Sequence, residues 1–230
     1  MPQRHLSLTL PIAASALGAI VGALLGGPWI WLHYLCKPLA TVLLLAMAAR
    51  AVVPVSPRYR GLVCAGLLLS LAGDVFLMLP IDLFVAGLLS FLLAHLCYIA
   101  AFASGSSWTA RAMALLAYAT VAAINLVALL PHVPDALKPA VLAYVSVLVL
   151  MAALAGARGW SLRGGPLAKP ARVAAIGGAL FVLSDSLLAW DKFGGGIPKA
   201  ALWVLASYYA AQWCIARSVD SAATAEVHHG

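Results

Sequence analysis

Four ionisable side chains stand inside long apolar runs of this 230-residue sequence, where such groups are rare. A charge near the centre of a bilayer costs at least ~2.5–3.5 kcal/mol to insert, so such residues usually face a bundle interior and serve a function. They are therefore the first candidates for chemistry. The four residues are Lys37, Asp74, His95 and Asp185.

Asp74 and Asp185 are the pair best suited to acid–base catalysis. Each lies about 13 residues into its apolar run, or ~20 Å at 1.5 Å per residue, so both carboxylates are predicted at one depth. In a medium of low dielectric, one of two neighbouring carboxyl groups keeps its proton while the other ionises, which provides a general acid and a general base. We add His95 as a third catalytic candidate, and we leave open a purely structural role for all three.

The same two aspartates belong to a weak internal repeat. Adding 111 residues to Asp74 gives Asp185, and adding 111 to Tyr98 gives Tyr209. The offset joins apolar runs of the same orientation, which indicates two four-helix halves in parallel repeat about an axis along the membrane normal. In that arrangement the two carboxylates face each other across the axis.

Other polar side chains fall on faces compatible with this pair, because residues three or four apart share one side of a helix. His95 and Tyr98 are related in this way, as are Tyr209 and Gln212. Lys37 is as well suited to neutralising a carboxylate as to holding substrate, since buried charges are usually paired. The predicted substrate-binding residues are Lys37, Tyr98, Tyr144, Tyr209 and Gln212.

The elements that must position these residues follow from composition. With 64% apolar and 9% charged residues, the chain is neither a soluble globular protein nor a disordered one. Runs of roughly 20 apolar residues cross a bilayer as helices. We predict an all-α integral membrane bundle of eight transmembrane helices, forming a single domain over 1–217 with a short cytoplasmic tail over 218–230. The predicted spans are 6–26, 29–49, 61–79, 83–103, 110–130, 139–156, 172–190 and 199–217.

Basic residues gather on one side of the predicted bundle. Of the 14 Lys and Arg residues, ten lie on the side of the termini, three lie on the other side, and Lys37 lies within a span. The positive-inside rule therefore places both termini in the cytoplasm, and we expect a multi-pass protein of a bacterial inner membrane. This distribution also accounts for the net charge of +7, so we expect the lipid bilayer, and no nucleic acid, as a partner.

No motif in the sequence indicates a cofactor or a nucleophilic hydrolase. The GxSxG, HExxH and P-loop patterns are absent. A catalytic zinc ion usually has three protein ligands rich in histidine, whereas only His33 and His95 lie within spans. We therefore predict a site without a metal and without a cofactor.

Several segments together resemble the YhhN family of multi-pass membrane proteins, which includes the animal lysoplasmalogenases. The resemblance covers nearly the whole chain, and it is specific because GD…H..Y and SD…YY..Q occur together in the right order. The segments are YLCKPLAT (34–41), SLAGDVFLMLP (70–80), FVAGLLSFLLAHLCYIAAF (84–102), GGALFVLSDSLLAW (177–190) and SYYAAQWCIA (207–216).

The resemblance implies an eight-helix enzyme that cleaves the vinyl ether of a lysoplasmalogen into a fatty aldehyde and glycerophospho-ethanolamine or -choline. Its proposed catalytic aspartates match Asp74 and Asp185. The reaction suits the residues, because a neutral aspartic acid can protonate the vinyl ether and an aspartate can assist water. Lys37 or His33 is then available to meet the phosphate of the lysophospholipid substrate.

Two other classes of function remain open from the sequence. A parallel repeat with Asp and Lys at mid-membrane also describes a secondary transporter. A lipid-binding membrane protein without catalysis would use the same cluster of Asp, Lys and His. The sequence leaves the oligomeric state unknown.

Overall fold

The structure is a computed structural model that describes the backbone of residues 3–221, with side chains from Leu8 onward. The rest of the predicted tail, 222–230, lies outside the described residues. The described chain forms the eight helices that the sequence predicts, joined by short connections. They are α1 (Gln3–Leu25), α2 (Ile30–Ala49), α3 (Pro57–Met78), α4 (Phe84–Phe102), α5 (Trp108–Leu129), α6 (Lys138–Ser161), α7 (Ala168–Phe193) and α8 (Ala200–Arg217).

The helices α6 and α7 are longer than the spans predicted for them. Hydropathy marks where the chain leaves the apolar core, but a helix continues until a residue abandons helical backbone. After α6 the backbone leaves the helix at Leu162, and Gly164 follows with a φ of 89° that suits glycine. Pro170 lies in the first turn of α7, where its missing N–H group has no helical partner to lose. The apolar spans therefore give the core of each helix but not its ends.

The helix α8 differs from the other described helices because it holds no long window apolar enough to count as a membrane span. The other seven helices are each long and apolar enough to cross a membrane. By contrast, α8 carries Tyr208, Tyr209 and Gln212, and all three side chains are buried. They are buried because α8 packs against α7, α1, α2 and α3. Its polar residues therefore face protein, and α8 lies inside the bundle rather than at its rim.

The order of neighbouring helices is compatible with two four-helix halves. Within each half consecutive helices pack together, and the contact of α2 with α8 has a counterpart in the contact of α6 with α4. Contacts between α1 and α8 add an asymmetric feature. The parallel repeat therefore stays a prediction that this arrangement supports.

A cluster of aromatic rings fills the centre of the bundle. Phe181 of α7 packs edge-on against Phe91 and His95 of α4 and against Tyr208 of α8. Gly66 allows α3 to approach α4 closely, since a Cβ atom there would stand 2.2 Å from the Tyr98 ring. These rings separate and support the polar residues described next.

The end of the bundle that carries the termini is tied together by backbone pairing. The N–H of Val55 donates to the carbonyl of Val219 at 2.9 Å, and the N–H of Ser221 donates to the carbonyl of Val53 at 2.9 Å. Pro54 and Asp220 form an isolated antiparallel bridge. The connection between α2 and α3 is thereby joined to the residues that follow α8.

Candidate active site

A cavity of about 320 Å³ opens among the helices and receives residues from all eight of them. Most of its lining side chains are apolar. Asp74 of α3 and Asp185 of α7 both line it, together with Lys37 and Tyr144. Two carboxyl groups therefore share one apolar space, although they lie far apart in the sequence.

Asp74 is held by side chains of α2 and α8. The Thr41 hydroxyl donates to Asp74 Oδ2 at 2.6 Å, and the Tyr208 hydroxyl donates to the same oxygen at 2.7 Å. The Lys37 ammonium lies 3.7 Å from Oδ1, and both side chains of this ion pair are buried. Two hydroxyl donors and one cation therefore surround this buried carboxyl group.

Asp185 has a different set of partners. The Tyr144 hydroxyl donates to Asp185 Oδ2 at 2.6 Å, and His95 Nε2 lies 3.0 Å from the same hydroxyl and 3.6 Å from Asp185 Oδ2. The single hydroxyl hydrogen of Tyr144 is used toward Asp185, so His95 Nε2 is the donor to Tyr144. The buried Nδ1 of His95 has no partner among the described residues.

The two carboxyl groups therefore differ in ways that matter for proton transfer. The Asp185 side chain is 13% exposed, against 2% for Asp74. The Oδ1 atom of Asp185 takes no hydrogen bond from any described residue, whereas Oδ1 of Asp74 faces Lys37. One oxygen of Asp185 is therefore without a partner among the described residues, while both oxygens of Asp74 have a donor or a cation beside them.

The helices that supply the partners of the two aspartates occupy corresponding positions in the two halves. Asp74 is held from the preceding helix, α2, and from the last helix of the other half, α8. Asp185 is held from its preceding helix, α6, and from the last helix of the other half, α4. This correspondence gives the predicted repeat a second line of support, although the supporting residue types differ.

Three of the predicted substrate-binding residues lie behind the cavity wall rather than in it. The Tyr98 hydroxyl donates to Gln212 Oε1 at 2.9 Å, and Gln212 Nε2 donates to the Tyr208 oxygen at 3.3 Å. The Tyr209 hydroxyl donates to the carbonyl of Lys37 at 3.4 Å. None of Tyr98, Tyr209 and Gln212 lines the cavity among the described residues, so they can act on the site through Tyr208 and Lys37.

Sequence reasoning missed Thr41 and Tyr208, which both donate to Asp74. Thr41 lies four residues after Lys37, so its position on the same helix face was a usable signal. Tyr208 lies four residues before Gln212 in the same relation. The 111-residue offset favoured the neighbouring Tyr209 instead.

The described residues contain no group of three or more His, Cys, Asp or Glu side chains placed to hold a metal ion. His33 lines the cavity, but its Nδ1 lies 2.9 Å from the carbonyl of Ala19. That the site works without a metal ion remains a prediction, based on the small number of histidines within the spans.

Comparison with known proteins gives the site a context. The YhhN family model matches residues 32–219. The chain is 34% identical to lysoplasmalogenase TMEM86B of Sus scrofa over 193 residues, which cover 84% of this chain and 76% of that protein. It is 35% identical to lysoplasmalogenase TMEM86B of Homo sapiens over 165 residues, or 70% of this chain and 64% of that protein. The chain is 30% identical to lysoplasmalogenase TMEM86A of Bos taurus over 154 residues, which cover 66% of this chain and 62% of that protein. No solved structure matches the chain.

Proposed function

Because the chain belongs to the YhhN family, we propose that it is a membrane-embedded hydrolase that cleaves the vinyl ether bond of lysoplasmalogens. The observation that carries this proposal is a pair of carboxyl groups, Asp74 buried and Asp185 partly buried, with unlike partners in one apolar cavity. The products are a fatty aldehyde and a glycerophospho-ethanolamine or -choline.

Asp185 is the general acid of the proposed reaction. Protonation of the β-carbon of a vinyl ether creates an oxocarbenium ion at the carbon next to oxygen, and a neutral carboxylic acid can donate that proton. The open Oδ1 of Asp185 is the atom available to a substrate in the cavity. Tyr144 and His95 hold the other oxygen, so they orient the acid and stabilise the carboxylate that remains.

Asp74 is the electrostatic partner and the general base. Its negative charge stabilises the oxocarbenium ion, and it accepts a proton as water adds to that carbon and forms a hemiacetal. Collapse of the hemiacetal returns the hydroxyl proton to Asp185, while the proton on Asp74 passes to the departing glycerol oxygen. Both carboxyl groups then regain their starting states, and no other reactant is consumed.

The cavity walls suit a single-chain lipid. The wall residues are mostly apolar, and the helices that supply them face the bilayer on their outer surfaces. An alkenyl chain can therefore leave the bilayer for the cavity without exposure to water, while the glycerol end lies by the two aspartates. Exclusion of bulk water also strengthens the electrostatic action of Asp74.

The test is aldehyde release by the purified protein in detergent from lysoplasmenyl-ethanolamine. Asp74→Asn and Asp185→Asn should each lower turnover by about 10²–10⁴-fold, because Asn keeps the size of the side chain but neither donates an acidic proton nor carries charge. Asp135→Asn is the matched control, since this exposed aspartate pairs with Lys138 and is not among the cavity-lining residues described.

Two outcomes would contradict the proposal. A folded Asp74→Asn or Asp185→Asn protein within tenfold of the parent would remove the paired-carboxyl mechanism. The complete absence of aldehyde with every lysoplasmalogen would favour the transporter or lipid-binding alternatives, which perform no net chemistry in detergent.

We also propose that both termini face the cytoplasm, because of the excess of Lys and Arg on their side. A reporter that is active only in the cytoplasm should be active when it is fused after residue 230, and a reporter that is active only after export should be inactive there. The opposite result would contradict the proposed orientation.

A further inference from the structure

The outer mouth of the cavity is the part that lies at the end of the bundle away from the termini. It is formed by the first turn of α4 and the last turn of α7. Phe84, Asp191 and Phe193 all line the cavity there. The Phe84 and Phe193 rings lie 5.7 Å apart at 89°, so one ring edge meets the other ring's face. This mouth therefore joins two aromatic rings to one carboxyl group, and the proposed reaction uses none of them.

The Phe84 ring already receives an ammonium group. Nζ of Lys192 lies 5.0 Å from the centre of that ring, which is within the range of a cation–π contact. The Lys192 side chain is exposed, so it can turn into water without unpacking the helix. The face of Phe84 is thus open to another cation of the same kind.

Asp191 has no cation beside it. Its Oδ1 accepts one hydrogen bond, from the N–H of Ile197 at 3.0 Å, and no Lys, Arg or His of the described residues forms an ion pair with it. Of the other aspartates of the cavity, Asp74 has the Lys37 ammonium beside it, and Asp185 has the Tyr144 hydroxyl and the His95 ring. A partly buried carboxylate without an ion-pair partner, in one cavity lining with aromatic rings, is suited to receive a positive group.

The distance from this mouth to the proposed reaction centre matches a phospholipid head group. Asp185 and Asp191 are six residues apart on α7, or ~9 Å along the helix axis. Nine bonds separate the vinyl ether oxygen from the amine nitrogen in a lysoplasmalogen, and nine extended bonds reach about 10–11 Å. A substrate held at Asp185 can therefore place its amine beside Asp191.

From these observations we infer that Phe84, Phe193 and Asp191 form a subsite for the ammonium group of a choline or ethanolamine head group. This inference rests on the proposed function, because it assigns the end of the same substrate. The ammonium replaces Nζ of Lys192 on the Phe84 ring and gives Asp191 its missing counter-ion. The subsite selects zwitterionic lysolipids over lipids that lack an amine.

The test compares two substrates that differ only in the head group, lysoplasmenyl-choline and 1-alkenylglycerol. The measured quantity is the ratio of their kcat/KM values in detergent. Phe84→Leu keeps the apolar volume but removes the aromatic face, and Asp191→Asn removes the charge. Each should lower the ratio about fivefold. Asp135→Asn, an exposed acid at the same end, should leave the ratio as in the parent. An unchanged ratio in both mouth variants would overturn the inference.

A binding measurement separates this inference from the proposed function. The probe is 1-alkyl-lysophosphocholine, whose saturated ether has no vinyl bond to protonate. If the parent releases no aldehyde but binds this probe, and Asp191→Asn weakens binding about fivefold, the proposed reaction is wrong and the ammonium subsite stands. If the parent hydrolyses both substrates equally and all three proteins bind the probe equally, the subsite is wrong and the reaction stands.

Discussion

Replacing Tyr144 by Phe removes one hydroxyl group from the site and leaves the ring in place. That hydroxyl donates to Asp185 at 2.6 Å and accepts from His95 at 3.0 Å, so it bridges the two side chains. Under the proposed mechanism it orients the acid and stabilises the carboxylate that forms when the proton leaves. We therefore expect Tyr144→Phe to lower kcat and to change KM little.

The size of the loss follows from the bond that is removed. A hydrogen bond to a charged group contributes about 1.5–3 kcal/mol, and each 1.4 kcal/mol corresponds to a factor of ten in rate. His95 Nε2 already lies 3.6 Å from Asp185, so a small movement lets it donate directly and recover part of the loss. We expect a decrease of roughly 10–100-fold in aldehyde release.

Tyr209→Phe is the matched control for this experiment. Tyr209 is also buried, but its hydroxyl makes a long bond of 3.4 Å to a backbone carbonyl and lies outside the cavity lining. Its loss should cost no more than about threefold, because a long bond between neutral groups contributes little. Thermal unfolding of both variants in detergent would show whether a loss of activity is a loss of fold. A Tyr144→Phe enzyme within threefold of the parent, or equal losses in both variants, would refute the role given to this hydroxyl.

Two further predictions concern stability, measured as thermal or denaturant unfolding in detergent. Gly66→Ala should lower the free energy of unfolding by about 1–3 kcal/mol, because its Cβ would stand 2.2 Å from the Tyr98 ring. Gly61→Ala is the control in the same helix. Its Cβ would meet nothing within 4 Å, so it should raise the free energy of unfolding by up to ~1 kcal/mol. Equal effects of the two substitutions would show that α3 and α4 do not meet as described. Lys37→Met should cost about 3–5 kcal/mol by leaving Asp74 buried without its cation, and adding Asp74→Asn should restore most of that loss; strictly additive losses would contradict the ion pair.

Most of the fold could be predicted because a bilayer imposes a simple length rule on apolar runs. The ends of α6 and α7 could not, since backbone hydrogen bonding rather than hydropathy decides where a helix stops. The helix α8 is a different case. Its tyrosines and glutamine lower its mean hydropathy, and only its position among four other helices explains why they are tolerated.

The charged residues of the candidate site could be predicted from the sequence more readily than the hydroxyl groups that bond to them. Asp74, Asp185 and Lys37 are conspicuous because charge is expensive in a membrane. Thr41 and Tyr208 are common residue types in spans, so only their four-residue spacing from Lys37 and Gln212 indicates that they face the site. Asp191 lies near the end of α7, where a carboxylate ordinarily faces water, and only the cavity lining shows its direction.

The division of Asp74's partners between α2 and α8 has a consequence for how the protein is made. Lys37 and Thr41 are synthesised before Asp74, but Tyr208 follows it by 134 residues. At translation rates of 5–20 residues per second, the ribosome needs about 7–27 s to add that stretch. During this interval α2 supplies the partners of Asp74 that are already synthesised, the Lys37 ammonium and the Thr41 hydroxyl. Loss of Lys37 should therefore reduce the amount of chain that is inserted into the membrane. This amount is determined at the translocon, before the eight helices have assembled.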